Sequence, residues 1–467
     1  MRARSDDERS HPGTSSQPRS GDPVTAPAGK KNTRRGRPPR LAGKPKERGI
    51  GAFLRDLGPG LVTGAADDDP SGISTYSQAG AAFGFGLLWT ALLSFPLMIA
   101  VQLMCARLGL VTRRGLASVL RKHYPTWLLW FACSLLLVGN TINIAADLSG
   151  MAAGAELLTH INHIWFVPVF AVVILLFLMF GSYATLLKIF KWLTLVLFAY
   201  VVAAFLAKPS WSAVAKGTFL PQITFTKEYL FTFVAIFGTT ISPYLFFWQA
   251  AQEVEADEAL NQELGDRPRR SLERELRSAR TDVSAGMVVS NVVMYFIILT
   301  AGATLHAHGH TQVQTAAEAA KALEPVAGKL AALLFTLGIV GTGLLGVPVL
   351  AGSAAYAVAE AAAWRRGMDA QPHQARNFYL VIAASMLIGV ALSFSPIDPI
   401  RLLLWSAVVN GILAPPLIII VLIISNNSKV MGSFRNGRAL NLFGGLAAVI
   451  MTGSALALIA SWIGLIK

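Results

Sequence analysis

Three consecutive carboxylates stand in the middle of an apolar stretch near the start of the chain. Asp67, Asp68 and Asp69 lie within residues 56–82, a segment long enough to cross a bilayer, and Pro70 follows them directly. A carboxylate in the hydrocarbon layer is costly unless it serves an ion, and a proline there interrupts the helix. The pattern therefore predicts a broken membrane helix that presents carboxylates and freed carbonyl groups to a cation.

A second apolar segment, residues 228–252, is interrupted in a similar way. It contains the sequence Gly-Thr-Thr-Ile-Ser-Pro-Tyr from Gly238 to Tyr244, with Pro243 near its middle. These two segments are the first and sixth spans of our segmentation, so each opens a set of five. Matched interruptions in two halves are typical of inverted-repeat transporters, whose binding site lies at the midplane. The alternative is a pair of proline kinks with no role beyond bending a helix.

The composition places these two segments in a polytopic membrane protein. Apolar residues make up 54% of the 467 residues and charged residues only 14%, whereas soluble domains have roughly 25% charged residues. This composition excludes an ordinary soluble enzyme. Residues 1–50 differ from the rest: they hold 13 basic and 5 acidic side chains and no apolar run, which predicts a disordered cytoplasmic tail.

Residues 51–467 are predicted to form one all-α transmembrane domain of about eleven helices. The predicted spans are 56–82, 84–109, 126–157, 162–182, 186–207, 228–252, 283–305, 325–360, 378–395, 399–425 and 440–465. We expect a first repeat over about 54–207, a second over about 228–425, and an extra span over about 440–465. The charged stretch 253–282 is predicted to be a cytoplasmic connector, with a short surface helix over 270–280 as the other interpretation.

The basic residues divide unevenly between the two faces that eleven spans imply. With the N-terminus inside, 33 Lys and Arg side chains fall in the tail and the inner connections, and 7 fall outside. Inner loops of membrane proteins carry such an excess. We therefore expect a multi-pass protein of the cytoplasmic (inner) membrane, with its N-terminus in the cytoplasm and its C-terminus outside.

The interrupted spans resemble those of the Nramp family of divalent-metal transporters, which have the LeuT-type fold. Residues 58–72 are similar to that family's first-span pattern GPG…DPGN, and residues 239–244 to its sixth-span pattern ATIMPHN. Shorter similarities to the family's TDLAE and TLAGQ patterns are Ala146-Asp147-Leu148 and Leu350-Ala351-Gly352. The resemblance covers about residues 50–465 and implies a 5+5 inverted repeat with broken helices one and six.

The resemblance also implies roles for individual residues. Asp69 would be the main metal ligand, and the carbonyl of Thr239 a backbone ligand. The family's Asn and Met ligands are Gly72 and Ser242 here, so both of those side-chain ligands are missing. The family's two His residues and its Glu are also replaced, by Tyr244, Gln249 and Gly150. These departures indicate a divergent branch similar to Nramp-related magnesium transporters.

The remaining oxygen donors favour a hard divalent cation. Carboxylate, carbonyl and hydroxyl groups suit Mg²⁺ and Mn²⁺, whereas thioether and imidazole suit softer transition metals. The candidate ligands are Asp69, Asp68, the hydroxyl of Ser71 or Ser242, and the Thr239 carbonyl. Mg²⁺ keeps several of its waters, so it needs few protein ligands and more room, which Gly72 would add. We predict transport of Mn²⁺ or Mg²⁺, with Fe²⁺ as a further candidate.

Other polar residues of the spans are candidates for the pathway or for proton coupling. Asp147 lies deep in the third span and Asp67 beside the first break, but no histidine lies deep in a span, so proton coupling stays open. Asn291 and Asn410 could line the pathway or form hydrogen bonds between helices. The remaining candidates for the pathway or for proton coupling are Gly72, Tyr244 and Gln249.

Two alternatives remain at this point. One is a LeuT-type symporter that carries a small organic substrate with Na⁺. The other is a membrane-anchored nucleic-acid-binding or scaffold protein that uses the basic tail. We expect divalent metal ions and the lipid bilayer as partners, with protons as a candidate, and no nucleic acid, obligate protein partner or cofactor. No HExxH or GxSxG motif points to an enzyme.

Overall fold

The fold is described from a computed structural model over residues 58–180, 195–264, 271–368 and 370–465. Helices dominate these ranges, and no strand occurs within them. The helices are α1 Pro59–Asp67, α2 Pro70–Phe83, α3 Trp89–Thr112, α4 Leu116–His123, α5 Thr126–Thr159, α6 Phe166–Phe180, α7 Ala199–Leu206, α8 Trp211–Phe219, α9 Lys227–Thr240, α10 Pro243–Leu264, α11 Leu272–Thr304, α12 Ala316–Lys321, α13 Glu324–Ala327, α14 Ala331–Ala362, α15 Arg376–Ser393, α16 Pro399–Asn426, α17 Ser428–Met431 and α18 Arg438–Trp462.

The helices agree with the predicted spans. Nine helical stretches of the described ranges are long and apolar enough to cross a membrane. The first predicted span is not among these nine; its halves α1 and α2 have 9 and 14 residues, and three aspartates stand at their junction. The fifth predicted span corresponds to the shorter apolar helix Val196–Leu206, and the first residues of that span lie outside the described ranges. The predicted tail also lies outside them. The all-α prediction with about eleven spans is confirmed.

Both predicted interruptions are present. In the first span α1 ends at Asp67 and α2 begins at Pro70, and in the sixth α9 ends at Thr240 and α10 begins at Pro243. Proline suits the first turn of a helix, where its missing N–H has no helical acceptor and its fixed φ is helical. Each proline therefore starts the second half-helix, and the residues before it leave the helix.

Glycines allow the broken helices to approach their neighbours closely. A methyl carbon placed on Gly64 of α1 would lie 2.3 Å from the carbonyl oxygen of Gly286 on α11. One placed on Gly238 of α9 would lie 2.0 Å from the carbonyl oxygen of Ala407 on α16. Small residues let membrane helices pack backbone to backbone. The half-helices beside each break are thus held against a long, unbroken helix.

The prediction for residues 253–282 is wrong for most of that stretch. Helix α10 continues to Leu264, and α11 begins at Leu272 and runs without interruption to Thr304. Residues 272–280 are therefore the first turns of a spanning helix and form no separate surface helix. Leu, Glu, Arg and Ala are good helix formers, so both helices extend beyond their apolar parts with charged turns.

Candidate metal site

Asp69 caps the second half of the broken first span. Its Oδ1 atom accepts hydrogen bonds from the Gly72 backbone N–H at 2.9 Å and from the Ser71 hydroxyl at 2.6 Å. Its side chain is 1% exposed. An N-cap carboxylate satisfies N–H groups that have no partner within the helix. Ser71, predicted to be a candidate ligand, here orients the carboxylate of Asp69.

The other two carboxylates of the triplet turn toward a different helix. The Ser290 hydroxyl of α11 lies 2.7 Å from Asp67 Oδ2 and 3.2 Å from Asp68 Oδ1. Within the described part of the chain, no three His, Cys, Asp or Glu side chains lie close enough together to hold a metal ion. The three aspartates therefore do not converge on one point. The sequence carried no signal for Ser290, which sits among apolar residues like many helical serines.

The sixth-span break lies against the first. The Tyr244 hydroxyl donates to the carbonyl of Ala66 at 2.8 Å and lies 3.3 Å from Asp69 Oδ2. The Ser242 hydroxyl donates to the carbonyl oxygen of Thr239 at 2.6 Å. The structure thus brings Tyr244 to the first break, whereas Ser242 satisfies a carbonyl of its own break.

Gly72 faces the side chain of Thr239. A methyl carbon placed on Gly72 would lie 3.2 Å from Thr239 Oγ1 and 3.5 Å from the carbonyl oxygen of Asp67. Both Gly72 and Thr239 are buried. The space beside Gly72 is therefore small and bordered by oxygen atoms of both breaks.

Asp147 approaches the same region from α5. A methyl carbon placed on Gly346 of α14 would lie 3.1 Å from Asp69 Cβ and 3.6 Å from Asp147 Oδ2. Asp147 is fully buried, and neither of its carboxylate oxygens has a hydrogen-bond partner among the described residues. Little more than the backbone of Gly346 separates the side chains of Asp69 and Asp147. Asp147 is therefore a second acid beside Asp69.

A chain of polar side chains leads from the breaks toward one face of the protein. Gln249 accepts a hydrogen bond from the Thr63 hydroxyl and donates one to Glu253 at 2.8 Å. Glu253 lines a cavity of about 140 Å³ whose other acidic residues are Asp257, Glu275 and Asp282. Gln249 thus lies between Thr63 of α1 and Glu253, which lines this acidic cavity.

Asp282 lines the same acidic cavity, and the sequence reasoning missed it. Its carboxylate accepts hydrogen bonds from the backbone N–H groups of Gly58 at 3.0 Å and Gly60 at 2.6 Å. It thereby ties the start of α1 to α11. The signal that could have identified Asp282 in the sequence is an acid at the beginning of a predicted span.

The two asparagines lie apart from the breaks. Asn291 on α11 donates to the Ser94 hydroxyl on α3 at 3.2 Å, an arrangement that fits a hydrogen bond between helices. Asn410 on α16 lies beside α5, with its Oδ1 atom 3.2 Å from a methyl carbon placed on Gly139. Neither residue contacts Asp69 by a hydrogen bond in the structure.

Contacts between connections show which of them share a face. Arg113, after α3, forms an ion pair with Asp257 at the far end of α10. Arg107, near the end of α3, donates to the carbonyl of Phe434, which follows α17, at 2.7 Å. Connections predicted to be cytoplasmic therefore meet at one face. At the other face Arg401 donates to Gln314 at 3.2 Å, joining two connections predicted to be external.

A family model extends over this whole arrangement. The model described as Nramp, natural resistance-associated macrophage protein-like, matches residues 60–461, which include both breaks and Asp147. The chain belongs to the Nramp family. The match covers all but the first 59 and last 6 residues of the 467. The resemblance drawn from the motifs of the broken spans is thereby confirmed.

Curated relatives of this Nramp protein match along most of their length. The divalent metal cation transporter MntH of Erwinia tasmaniensis is 27% identical over 405 residues, which cover 85% of this chain and 91% of the relative. The MntH of Klebsiella pneumoniae is 26% identical over 421 residues, covering 87% of this chain and 94% of the relative.

Solved structures agree on the fold. The manganese transporter of Eremococcus coleocola superposes with a TM-score of 0.70 at 20% identity, over 89% of this chain and 90% of that one. Mhp1, a nucleobase-cation-symport-1 family transporter, superposes with a TM-score of 0.50 at 14% identity, over 88% and 94%. At these identities the likeness concerns the fold alone. The predicted LeuT-type architecture with broken helices one and six is confirmed.

Proposed function

We propose that this Nramp protein is a secondary transporter of divalent metal cations that works by alternating access about its two broken helices. The observation that carries the proposal is Asp69, a buried carboxylate held at the junction of both breaks. Intramembrane carboxylates mark ion pathways. The relatives named as divalent metal cation transporters support the same function. An organic-substrate symporter has less support, because acidic side chains crowd the junction. Nothing here points to an enzyme.

The finer proposal is a hard cation, Mn²⁺ or Mg²⁺, bound by oxygen atoms. Asp69 is the charged ligand, with a neutral oxygen from the sixth-span break at Thr239. Ser242 is a weaker candidate, because its hydroxyl donates to the carbonyl of Thr239. Asp68 is a weaker candidate, because its carboxylate faces Ser290. A single carboxylate with neutral oxygens suits an ion that keeps part of its water shell. The metal is the cargo of this protein, and we propose no resident cofactor.

Uptake into proteoliposomes tests this proposal. We expect the purified full chain to carry Mn²⁺ or Mg²⁺ and to carry Cd²⁺ poorly. Ser242→Met should shift the ratio of Cd²⁺ to Mn²⁺ uptake by about tenfold toward Cd²⁺, because a thioether favours softer ions. Ser454→Met, on α18 away from both breaks, is the matched control. Efficient Cd²⁺ uptake with exclusion of both hard ions by the wild type would contradict the proposal.

The coupling of transport to protons is a separate proposal. We propose uncoupled or weakly coupled metal transport, because the described spans place no histidine beside Asp69 and Asp147. A pH-sensitive dye inside the vesicles should report no acidification while Mn²⁺ enters down its gradient. Acidification that tracks metal uptake, and that disappears with empty liposomes, would show proton symport instead.

We propose that the protein lies in the cytoplasmic membrane with its N-terminus inside and its C-terminus outside. The shared face of Arg113, Asp257 and Phe434 supports a common side for those connections. The uneven division of basic residues supports the cytoplasm as that side. On this view residues 1–50 are a tail that helps to set topology and attracts anionic lipid.

A further inference from the structure

We propose that Thr239 binds the transported cation through its side-chain hydroxyl and not through its backbone carbonyl. This inference rests on the proposed function and names one ligand of that site. It concerns a side chain at a position where the family's ATIMPHN pattern has alanine. The consequence is a site built for a partly hydrated hard cation.

The carbonyl of Thr239 already has a partner. The Ser242 hydroxyl donates to it at 2.6 Å, and the same hydroxyl lies 3.0 Å from the carbonyl of Gly238. A carbonyl oxygen that accepts a short hydrogen bond has one lone pair occupied and its negative charge partly neutralised. It is therefore a poorer ligand for a cation than a free carbonyl.

The hydroxyl of Thr239, in contrast, is buried without a partner. Its Oγ1 atom has no hydrogen bond to any residue that the structure describes, and the side chain is 0% exposed. The adjacent Thr240 hydroxyl donates to the carbonyl of Ile236 at 2.5 Å and lies 3.3 Å from the Tyr76 hydroxyl. A buried hydroxyl without a hydrogen-bond partner is unfavourable, so we expect Thr239 to meet a ligand that Thr240, whose hydroxyl has partners, does not.

The hydroxyl faces the first-span break. Oγ1 would lie 3.2 Å from a methyl carbon on Gly72, and the carbonyl oxygen of Asp67 would lie 3.5 Å from the same carbon. The backbone N–H of Gly72 donates to Asp69 Oδ1. Gly72 is therefore bordered by the Thr239 hydroxyl, a carbonyl at the end of α1, and the capping carboxylate. The ring of Tyr76 also borders this position, with Cε2 3.3 Å from the same methyl carbon, so the space beside the oxygens is small and a side chain at residue 72 would fill it.

This set of oxygens matches the ion class proposed above. One carboxylate and two neutral oxygens leave room for water in an octahedral shell, as Mg²⁺ prefers and Mn²⁺ accepts. Asp67 and Asp68 each accept from Ser290 with one oxygen, and their other oxygens have no partner among the described residues, so they are secondary candidates beside Asp69. The hydroxyl thus supplies from the sixth span a ligand in place of the Asn and Met ligands that the family has where this chain has Gly72 and Ser242.

Titration calorimetry of the purified full chain with MnCl₂ tests the inference. Thr239→Val keeps the shape and the carbonyl but removes the hydroxyl, and we expect its Kd to rise by about tenfold or more. Thr239→Ser should bind within about twofold of wild type, because it restores the hydroxyl. Thr240→Val is the matched control and should also bind within about twofold. Wild-type affinity in Thr239→Val would overturn the inference.

A second variant keeps the inference testable if Thr239→Val does not fold. Gly72→Ala leaves every oxygen in place but puts a methyl group against the Thr239 hydroxyl, and we expect it to weaken Mn²⁺ binding severalfold. Unchanged affinity for Mn²⁺ in Gly72→Ala would contradict the proposed site beside Gly72. Asp69→Asn separates the two proposals: if it loses Mn²⁺ binding while Thr239→Val retains it, the hydroxyl assignment fails and the proposed transport function stands.

Discussion

Metal uptake is expected to fall by at least about 100-fold when Asp69 is replaced by asparagine. The substitution keeps the size of the side chain and one oxygen, but it removes a charge that residues of both breaks contact. Loss of residues that merely orient a metal ligand costs 10–100-fold in affinity, so loss of the ligand itself should lie at or beyond that range. Initial rates of Mn²⁺ uptake into proteoliposomes, at matched protein density, measure the effect.

Asp68→Asn is the control for this experiment. Asp68 is the adjacent residue in the same break and equally buried, but its carboxylate accepts from the Ser290 hydroxyl. We expect Asp68→Asn to lower uptake severalfold at most. If Asp68→Asn were the more damaging of the two, the assignment of Asp69 as the charged ligand would be wrong.

The second large effect is expected at the contact between α1 and α11. Gly64→Ala would place a methyl carbon 2.3 Å from the carbonyl oxygen of Gly286, about 1 Å closer than such atoms tolerate. Because the obstacle is backbone, the two helices must separate, and overpacking of this kind costs about 3 kcal/mol, the upper end of the usual range. We expect a clear loss of folded protein, measured by thermal melting and size-exclusion chromatography in detergent.

Gly453→Ala is the matched control for the packing prediction. Gly453 lies within α18, and a methyl carbon placed on it meets no other atom within 4 Å. Alanine favours a helix over glycine by about 1 kcal/mol, so this variant should melt no lower than wild type. A lower melting temperature for Gly64→Ala, with an unchanged or higher one for Gly453→Ala, would assign the loss of stability to the close approach of the two backbones. Equal melting temperatures for the two variants would contradict it.

The spans and their interruptions were predictable because each depends on local features of the chain. Apolar runs of bilayer length predict helices directly, since a backbone in lipid must satisfy its own hydrogen bonds. Pro70 and Pro243 each follow polar residues within an apolar run, and that combination predicts an interruption. A proline in a purely apolar run, such as Pro348, lies inside a continuous helix. The prediction for residues 253–282 was wrong because the ends of α10 and α11 in this stretch are rich in charged residues, so no apolar pattern marks them as helical.

The directions of side chains at the break were not predictable. Three adjacent aspartates are chemically equal in the sequence, yet Asp69 caps α2 while Asp67 and Asp68 share Ser290. Their directions depend on backbone angles in a segment that is no longer helical, and on a serine more than 200 residues away. The prediction that the Thr239 carbonyl and the Ser242 hydroxyl are both ligands did not foresee that these two groups bond to each other.

Residue types and their order were therefore sufficient for the membrane class, the eleven spans, the two breaks and the family. They predicted a carboxylate inside a membrane span because local propensity and the cost of burying charge act on neighbouring residues. Packing decided three further features: which of the three carboxylates caps α2, the approach of Asp147 to Asp69 past Gly346, and the unpartnered hydroxyl of Thr239. Those contacts join helices far apart in the chain, and their distances depend on how closely glycine-bearing helices meet.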